Sequence, residues 1–173
     1  MHISASPGAG KTTLCLGVVS DTLLNGGRVI WACRKMPDPD RFREILQDID
    51  EQGLRSIAIL NFSSDFAGNL ELILMGAEDF GRDDVVIVDD WCESHGRARK
   101  DDVNAAKKLS LIAEKTNLII TSSSYEDASG FSDSGWLTRG GTQIESSYAT
   151  FLVLNHPKKD GVRILSLIHI SEP

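Results

Sequence analysis

Apolar residues fall in short runs of four to six, separated by stretches of helical length with the spacing of amphipathic helices. His2-Ile3-Ser4-Ala5 is a short strand that runs into a Gly-rich turn. Lys11 to Leu24 predicts a helix whose broad apolar side holds Leu14, Leu16, Val18, Val19, Leu23 and Leu24, with Gly26-Gly27 as its stop. Arg28 to Cys33 is a strand. Asp38 can N-cap a helix that opens on Pro39, presents Phe42, Ile45, Leu46 and Ile49 on one face, and ends at Gly53. A strand from Ser56 to Leu60 and a helix from Ala67 to Glu78 follow. Val85-Val86-Ile87-Val88 has no alternation, which predicts a strand covered on both faces, as in a parallel sheet. Asp102 can cap a helix through Lys115, and Leu118-Ile119-Ile120 is the next buried strand. Residues 125–141 lack periodicity and read as a loop. Ala149 to Leu154 and Val162 to Leu167 read as two strands joined by a turn at His156 to Gly161. The sum is a three-layer α/β fold, with a mostly parallel central sheet and an antiparallel hairpin at its edge.

The length of 173 residues fits one domain, long enough to bury roughly two thirds of its unfolded surface. No run of 18 apolar residues is present, so no membrane partner is expected. Cys15, Cys33 and Cys92 stand far apart and in no metal spacing, which points to a reducing compartment and a cytoplasmic location. The net charge is -7, and its excess is local: residues 61–102 hold eleven acidic and four basic groups. No basic stripe exists to hold nucleic acid unaided.

Ser6-Pro7-Gly8-Ala9-Gly10-Lys11-Thr12-Thr13 carries the chemistry. The phosphate-loop pattern is Gly, four residues, then Gly-Lys-Ser/Thr, and only its first Gly is replaced, by Ala5. Gly8 and Gly10 let backbone N–H groups face an anion, Lys11 can reach β- and γ-phosphate oxygens, and Thr12 can ligate Mg²⁺. The strand before the loop and the apolar helix after it are the required context. A metal-positioning acid is expected at the end of a buried strand, where Asp89 stands. Asp90 follows, either as a solvated strand end or as the group that polarises an attacking water. Alternate strand residues face opposite ways, so Asp90 reaches the site only if the strand ends between the two.

These marks, with Pro39-Asp40-Arg41-Phe42 after the second strand and Arg139-Gly140-Gly141 before an edge strand, resemble the ATPase core of the RecA superfamily in its archaeal form. That group holds RadA-type recombinases, their RadB-type paralogues and the KaiC-like ATPases. The resemblance covers residues 2–167 and implies an ATP- and Mg²⁺-dependent protein of DNA recombination and repair. It also implies a homo-oligomer, a filament or a ring, with single-stranded DNA or a recombinase paralogue as partner. The alternatives are a KaiC-like regulatory ATPase without DNA, and a paralogue that binds nucleotide without hydrolysis. Lys35 stands where family members place a catalytic glutamate, four residues before the proline, and a lysine cannot accept a proton from water. Ser122 and Ser123 stand where the recombinases have Asn-Gln, so Ser123 replaces the γ-phosphate sensor. Slow turnover is expected, with Lys11, Asp90 and Ser123 as the candidate catalytic set.

The recombinases grip DNA with two loops. The first corresponds here to Glu93 to Lys100, where Arg97, Arg99 and Lys100 are either phosphate contacts or a solvated face. The second is Tyr125 to Gly141, whose Phe131 and Trp136 can stack on bases or on a neighbouring subunit. Arg139 is a candidate for contact with a neighbour's γ-phosphate. Two expectations concern the ends. The core is taken as residues 1–167, lacking the family's segment before the first strand. The tail 168–173, within a stretch resembling translated sequencing adapter, is expected to be disordered or an artefactual continuation of the last strand.

Overall fold

The computed structural model describes residues 1–130, 132, 134–156, 158, 159 and 161–169. The chain order is β1 (His2–Ala5), α1 (Lys11–Leu24), β2 (Val29–Cys33), α2 (Pro39–Ile45), α3 (Glu51–Arg55) and β3 (Ile57–Asn61). It continues with α4 (Phe66–Gly76), β4 (Val85–Asp89), α5 (Lys100–Leu109), a 3₁₀ segment (Ser110–Glu114) and β5 (Asn117–Ser123). The last part holds β6 (Tyr125–Glu126), β7 (Trp136–Leu137), α6 (Thr142–Glu145), β8 (Thr150–Asn155) and β9 (Arg163–His169). Among the described residues, seven strands form one sheet in the order β3-β2-β4-β5-β1-β8-β9. Every pairing is parallel except β8 with β9 at the edge. This is the three-layer α/β fold that the pattern predicts.

The layers follow from strand alternation. Val29, Trp31 and Cys33 pack with Leu16, Val19 and Leu23 of α1 on one face. Ile30 and Ala32 pack with Phe66, Leu70 and Ile73 of α4 and with Leu109 of α5 on the other. Each strand therefore needs apolar residues at every position, and β4 is buried throughout. A polar seam crosses the sheet at β1: the buried His2 ring meets Ser122 Oγ at 2.9 Å through Nε2, and burial pushes its pKa down to about 3. No helix of the described residues is long and apolar enough to cross a membrane.

Several boundaries differ from the predicted ones, for local reasons. The helix expected from Pro39 to Gly53 is two helices, because the Asp50 side chain accepts from the Gly53 backbone N–H at 2.7 Å and starts α3 afresh. Asp102 does not cap α5. It lies in the first turn, fully buried, and pairs with Arg99 at 3.0 Å, while Arg99 holds the cap position. The α-helix ends at Leu109, where the Ser110 hydroxyl donates to the Lys107 carbonyl at 2.7 Å and the chain tightens into the 3₁₀ segment. Leu14 and Leu24 of α1 are exposed, leaving a narrower apolar stripe than expected. The loop 125–141 contains the short β6–β7 pair, with Tyr125 opposite Leu137. β9 continues to His169. The expectations about Phe131 and about tail residues 170–173 lie outside the described residues.

Candidate nucleotide site

In a parallel sheet every strand delivers its carboxyl end to one edge, and ligands bind in the crevice there. Ala5 of β1, Cys33 of β2, Asp89 of β4, Ser123 of β5 and Asn155 of β8 all end at this edge. β1 lies between β5 and β8, so the loop Ser6–Lys11 opens with a parallel strand on either side. The loop is anchored at its start by Ser6 N–H to Val153 O at 3.0 Å, and closes on itself by Ala9 N–H to Ser6 O at 3.0 Å. Gly8 and Gly10 have φ of 73° and 88°. A side chain at either would find open space, so the requirement for glycine there is one of backbone conformation. Gly10 is the N-cap of α1, and the helix N-terminus faces the loop's interior.

The acids behave as two different groups. Asp89 is 4% exposed and held from two sides. Thr12 Oγ1 donates to its Oδ2 at 2.9 Å and Thr121 Oγ1 donates to its Oδ1 at 2.7 Å. Burial raises its pKa, and the hydroxyl from Thr121 offsets part of that rise. β4 ends at Asp89, and Asp90 sits in the left-handed region at φ 57°. The strand therefore ends between the two, the condition under which Asp90 reaches the site. Its backbone N–H donates to Thr121 Oγ1 at 2.9 Å, and its Oδ1 lies 3.2 Å from Lys11 Nζ. That contact is an ion pair without hydrogen-bond alignment, since the same oxygen has no directed donor.

A cleft of about 470 Å³ opens beside Thr12, lined by Thr13, Lys35, Asp38, Arg41, Asp89 and Asp90 among others. Lys35 is exposed on its wall. Among the described residues no group of three or more His, Cys, Asp or Glu could hold a metal. The Thr12 hydroxyl and the Asp89 carboxylate instead suit Mg²⁺, which keeps waters and takes the rest of its ligands from phosphate oxygens. Ser123 is half-buried beside Ala5 in the β1–β5 register, outside the residues lining the cleft, and its carbonyl accepts from Arg139 Nε at 3.2 Å.

The basic candidates separate in the same way. Arg97 and Lys100 line a second cleft, of about 620 Å³, with Asn104, Tyr125 and Gln143. Arg99 is turned back, onto Asp102 and onto the Ser64 carbonyl at 2.6 Å. Arg139 corrects the expectation of an arginine offered to a neighbour. It is 6% exposed and donates to the carbonyls of Ser123, Gly96 and Ser94, with its guanidinium 4.8 Å over the Tyr125 ring. It ties the two loops together from inside.

Sequence reasoning missed two residues here. Thr121 orients Asp89, and the pairing of Val88 with Ile120 would have revealed it once β4 and β5 were known to be neighbours. Arg34 donates from Nε to the Asp90 carbonyl at 3.1 Å and pairs with Glu93 at 2.7 Å, which fixes the turn after β4. No local sequence signal marks it.

Sheet order, phosphate loop and acidic strand end together define a P-loop NTPase architecture of RecA type. No protein-family model and no curated protein sequence matches the chain. Solved structures do. A KaiC-like protein from the hyperthermophilic archaeon Pyrococcus horikoshii OT3 is similar at 17% identity and TM-score 0.69, over 99% of this chain and 78% of that one. A DnaB-like replicative helicase, described with its interactions with primase, matches at 12% identity and TM-score 0.62 over 99% of this chain. This chain spans about half of that helicase, 52%. A third structure, of an isolated ATPase domain, matches at 11% identity and TM-score 0.61, over 99% of this chain and 76% of that one.

Proposed function

We propose that the chain is the nucleotide core of a KaiC-like or helicase-like ATPase that binds ATP with Mg²⁺ and turns it over slowly. The observation that carries this is the convergence of Lys11, Thr12 and Asp89 at the mouth of the loop, with Asp89 locked by Thr121. Loop N–H groups and Lys11 take the phosphates, Thr12 and Asp89 hold the metal side, and Asp90 is the acid nearest an incoming water. Mg²⁺ supplies charge neutralisation on the phosphate oxygens when bound. Homo-oligomeric assembly, a ring or a filament, belongs to this reading, because the γ-phosphate side is the open cleft beside Lys35.

The KaiC-like or helicase-like reading has more support than a recombinase. The similar structures include both of those kinds. The net charge is -7, and two of the four expected basic contacts, Arg99 and Arg139, are spent inside the chain. Single-stranded DNA is the second reading, favoured by Arg97 and Lys100 beside the Tyr125 ring in the larger cleft. Calorimetry with a non-hydrolysable ATP analogue tests the first. Mg²⁺-dependent binding by the folded chain, lost in Lys11→Ala, is expected; its absence in the wild type refutes the proposal. Binding to a labelled DNA single strand that weakens steeply with salt would support the second reading, and none at low salt rules it out.

A further inference from the structure

An anion-binding loop turns its N–H groups inward, so its carbonyls turn outward and need donors of their own. Here the donors come from the opposite end of the chain. Asn155 Nδ2 donates to the Pro7 carbonyl at 3.1 Å, and Arg163 Nε donates to the Ala9 carbonyl at 2.9 Å. Arg163 Nη2 lies 3.5 Å from the Gly8 carbonyl, at the outer limit of a hydrogen bond. The Asn155 backbone N–H adds a bond to Ser6 Oγ at 3.2 Å. Three consecutive loop carbonyls thus face one hairpin. Asn155 and Arg163 are direct cross-strand partners at the open end of β8 and β9, so a single rung of the ladder delivers both side chains. Among the described residues Arg163 has no carboxylate partner, and its charge stays directed at the loop.

We propose that Arg163, assisted by Asn155, is a positioning residue that holds the phosphate loop in its anion-binding form, so that the β8–β9 hairpin sets affinity for the polyphosphate group. This rests on the reading of the loop as a nucleotide site. Arg163 acts through loop backbone, so di- and triphosphate are affected alike.

Two measurements on Arg163→Ala and Arg163→Lys test it. Amide hydrogen exchange across residues 6–13 is followed in nucleotide-free protein, and calorimetry is run with Mg-ADP and with the Mg complex of a non-hydrolysable ATP analogue. Arg163→Ala should speed loop exchange several-fold and weaken both nucleotides roughly 3- to 10-fold, the loss expected for a charged donor on an exposed strand. Arg163→Lys should recover part of both, because it restores the charge but not the fork. Unchanged exchange and affinity within twofold would overturn the proposal. So would weakening of the ATP analogue alone, which would mean direct contact with the γ-phosphate. A wild type that binds no nucleotide refutes the functional reading, while the exchange comparison still decides whether Arg163 braces the loop.

Discussion

Asp90→Asn separates two jobs that the site gives to one carboxylate. The perturbation is clean, because Asp90 holds φ 57° and asparagine is among the few residues that adopt this region readily. It removes a negative charge 3.2 Å from Lys11 Nζ. Coulomb's law at that distance gives about 5 kcal/mol at an effective dielectric of 20 and about 1 kcal/mol in water. The two side chains are 19% and 30% exposed and the pair lacks hydrogen-bond alignment, so the lower figure applies. A bound phosphate must replace Asp90 as the partner of Lys11. The substitution should therefore tighten binding of a non-hydrolysable ATP analogue with Mg²⁺ by about 5-fold, more at low salt. Turnover moves the other way: if Asp90 polarises the water, its loss removes roughly 100-fold or more of an already slow rate. Calorimetry and a phosphate-release assay on the same preparation read both. Affinity that is unchanged or weaker in a folded Asp90→Asn protein would refute the view that Asp90 competes with nucleotide for Lys11.

Lys35→Glu places an acid on the cleft wall where water activation needs one, so turnover should rise at least about 10-fold while triphosphate affinity falls a few-fold; an unchanged rate would show that Lys35 does not face the reacting water. Arg139→Ala leaves the carbonyls of Ser123, Ser94 and Gly96 without their donor, at a cost of about 2–4 kcal/mol. That is a melting temperature roughly 5–15 °C lower by calorimetry; an unchanged melting point with lost assembly would point to an outward role. His2 is buried and neutral with a pKa pushed down to about 3, so the unfolded chain takes up a proton that the folded chain refuses. Stability in urea titrations should fall as pH drops from about 6.5 toward 3, and His2→Gln should flatten that slope.

The parts of the fold legible in the sequence are those fixed by local pattern. α1 runs from Lys11 to Leu24 as its spacing predicts, because a loop with two glycines opens it and Gly26-Gly27 follows it. β4 reads as doubly covered because four apolar residues leave no polar face. The phosphate loop is legible for the same reason, since backbone conformation alone demands Gly8 and Gly10. What escaped depends on contacts between distant residues. The short β6 and β7 strands and the one-turn α6 have too few residues to show a period. Arg99 and Arg139 look alike in sequence to Arg97, yet a buried Asp102 and three loop carbonyls turn them inward. Whether Asp90 shares a site with Asp89 turned on one dihedral angle, and Arg34, 56 residues away in sequence, helps to fix it.

The site is built with unequal rigidity on its two sides. On the metal side, Asp89 is buried, accepts two hydroxyls, and stands on a strand with parallel neighbours on both flanks. Such a group is positioned before any ligand arrives, which lowers the ordering cost of binding. On the water side, Lys35 is exposed, Arg41 is shared with Glu44 on the surface at 3.1 Å, and Asp90 is paired with the same lysine that must meet the phosphate. In-line attack needs a fixed and basic water partner as much as a fixed phosphate. A chain that preorganises the first and leaves the second to exposed cations and a diverted carboxylate is suited to holding nucleotide longer than it takes to bind. Anything that brings an acid to the Lys35 wall would change that balance without altering the phosphate loop.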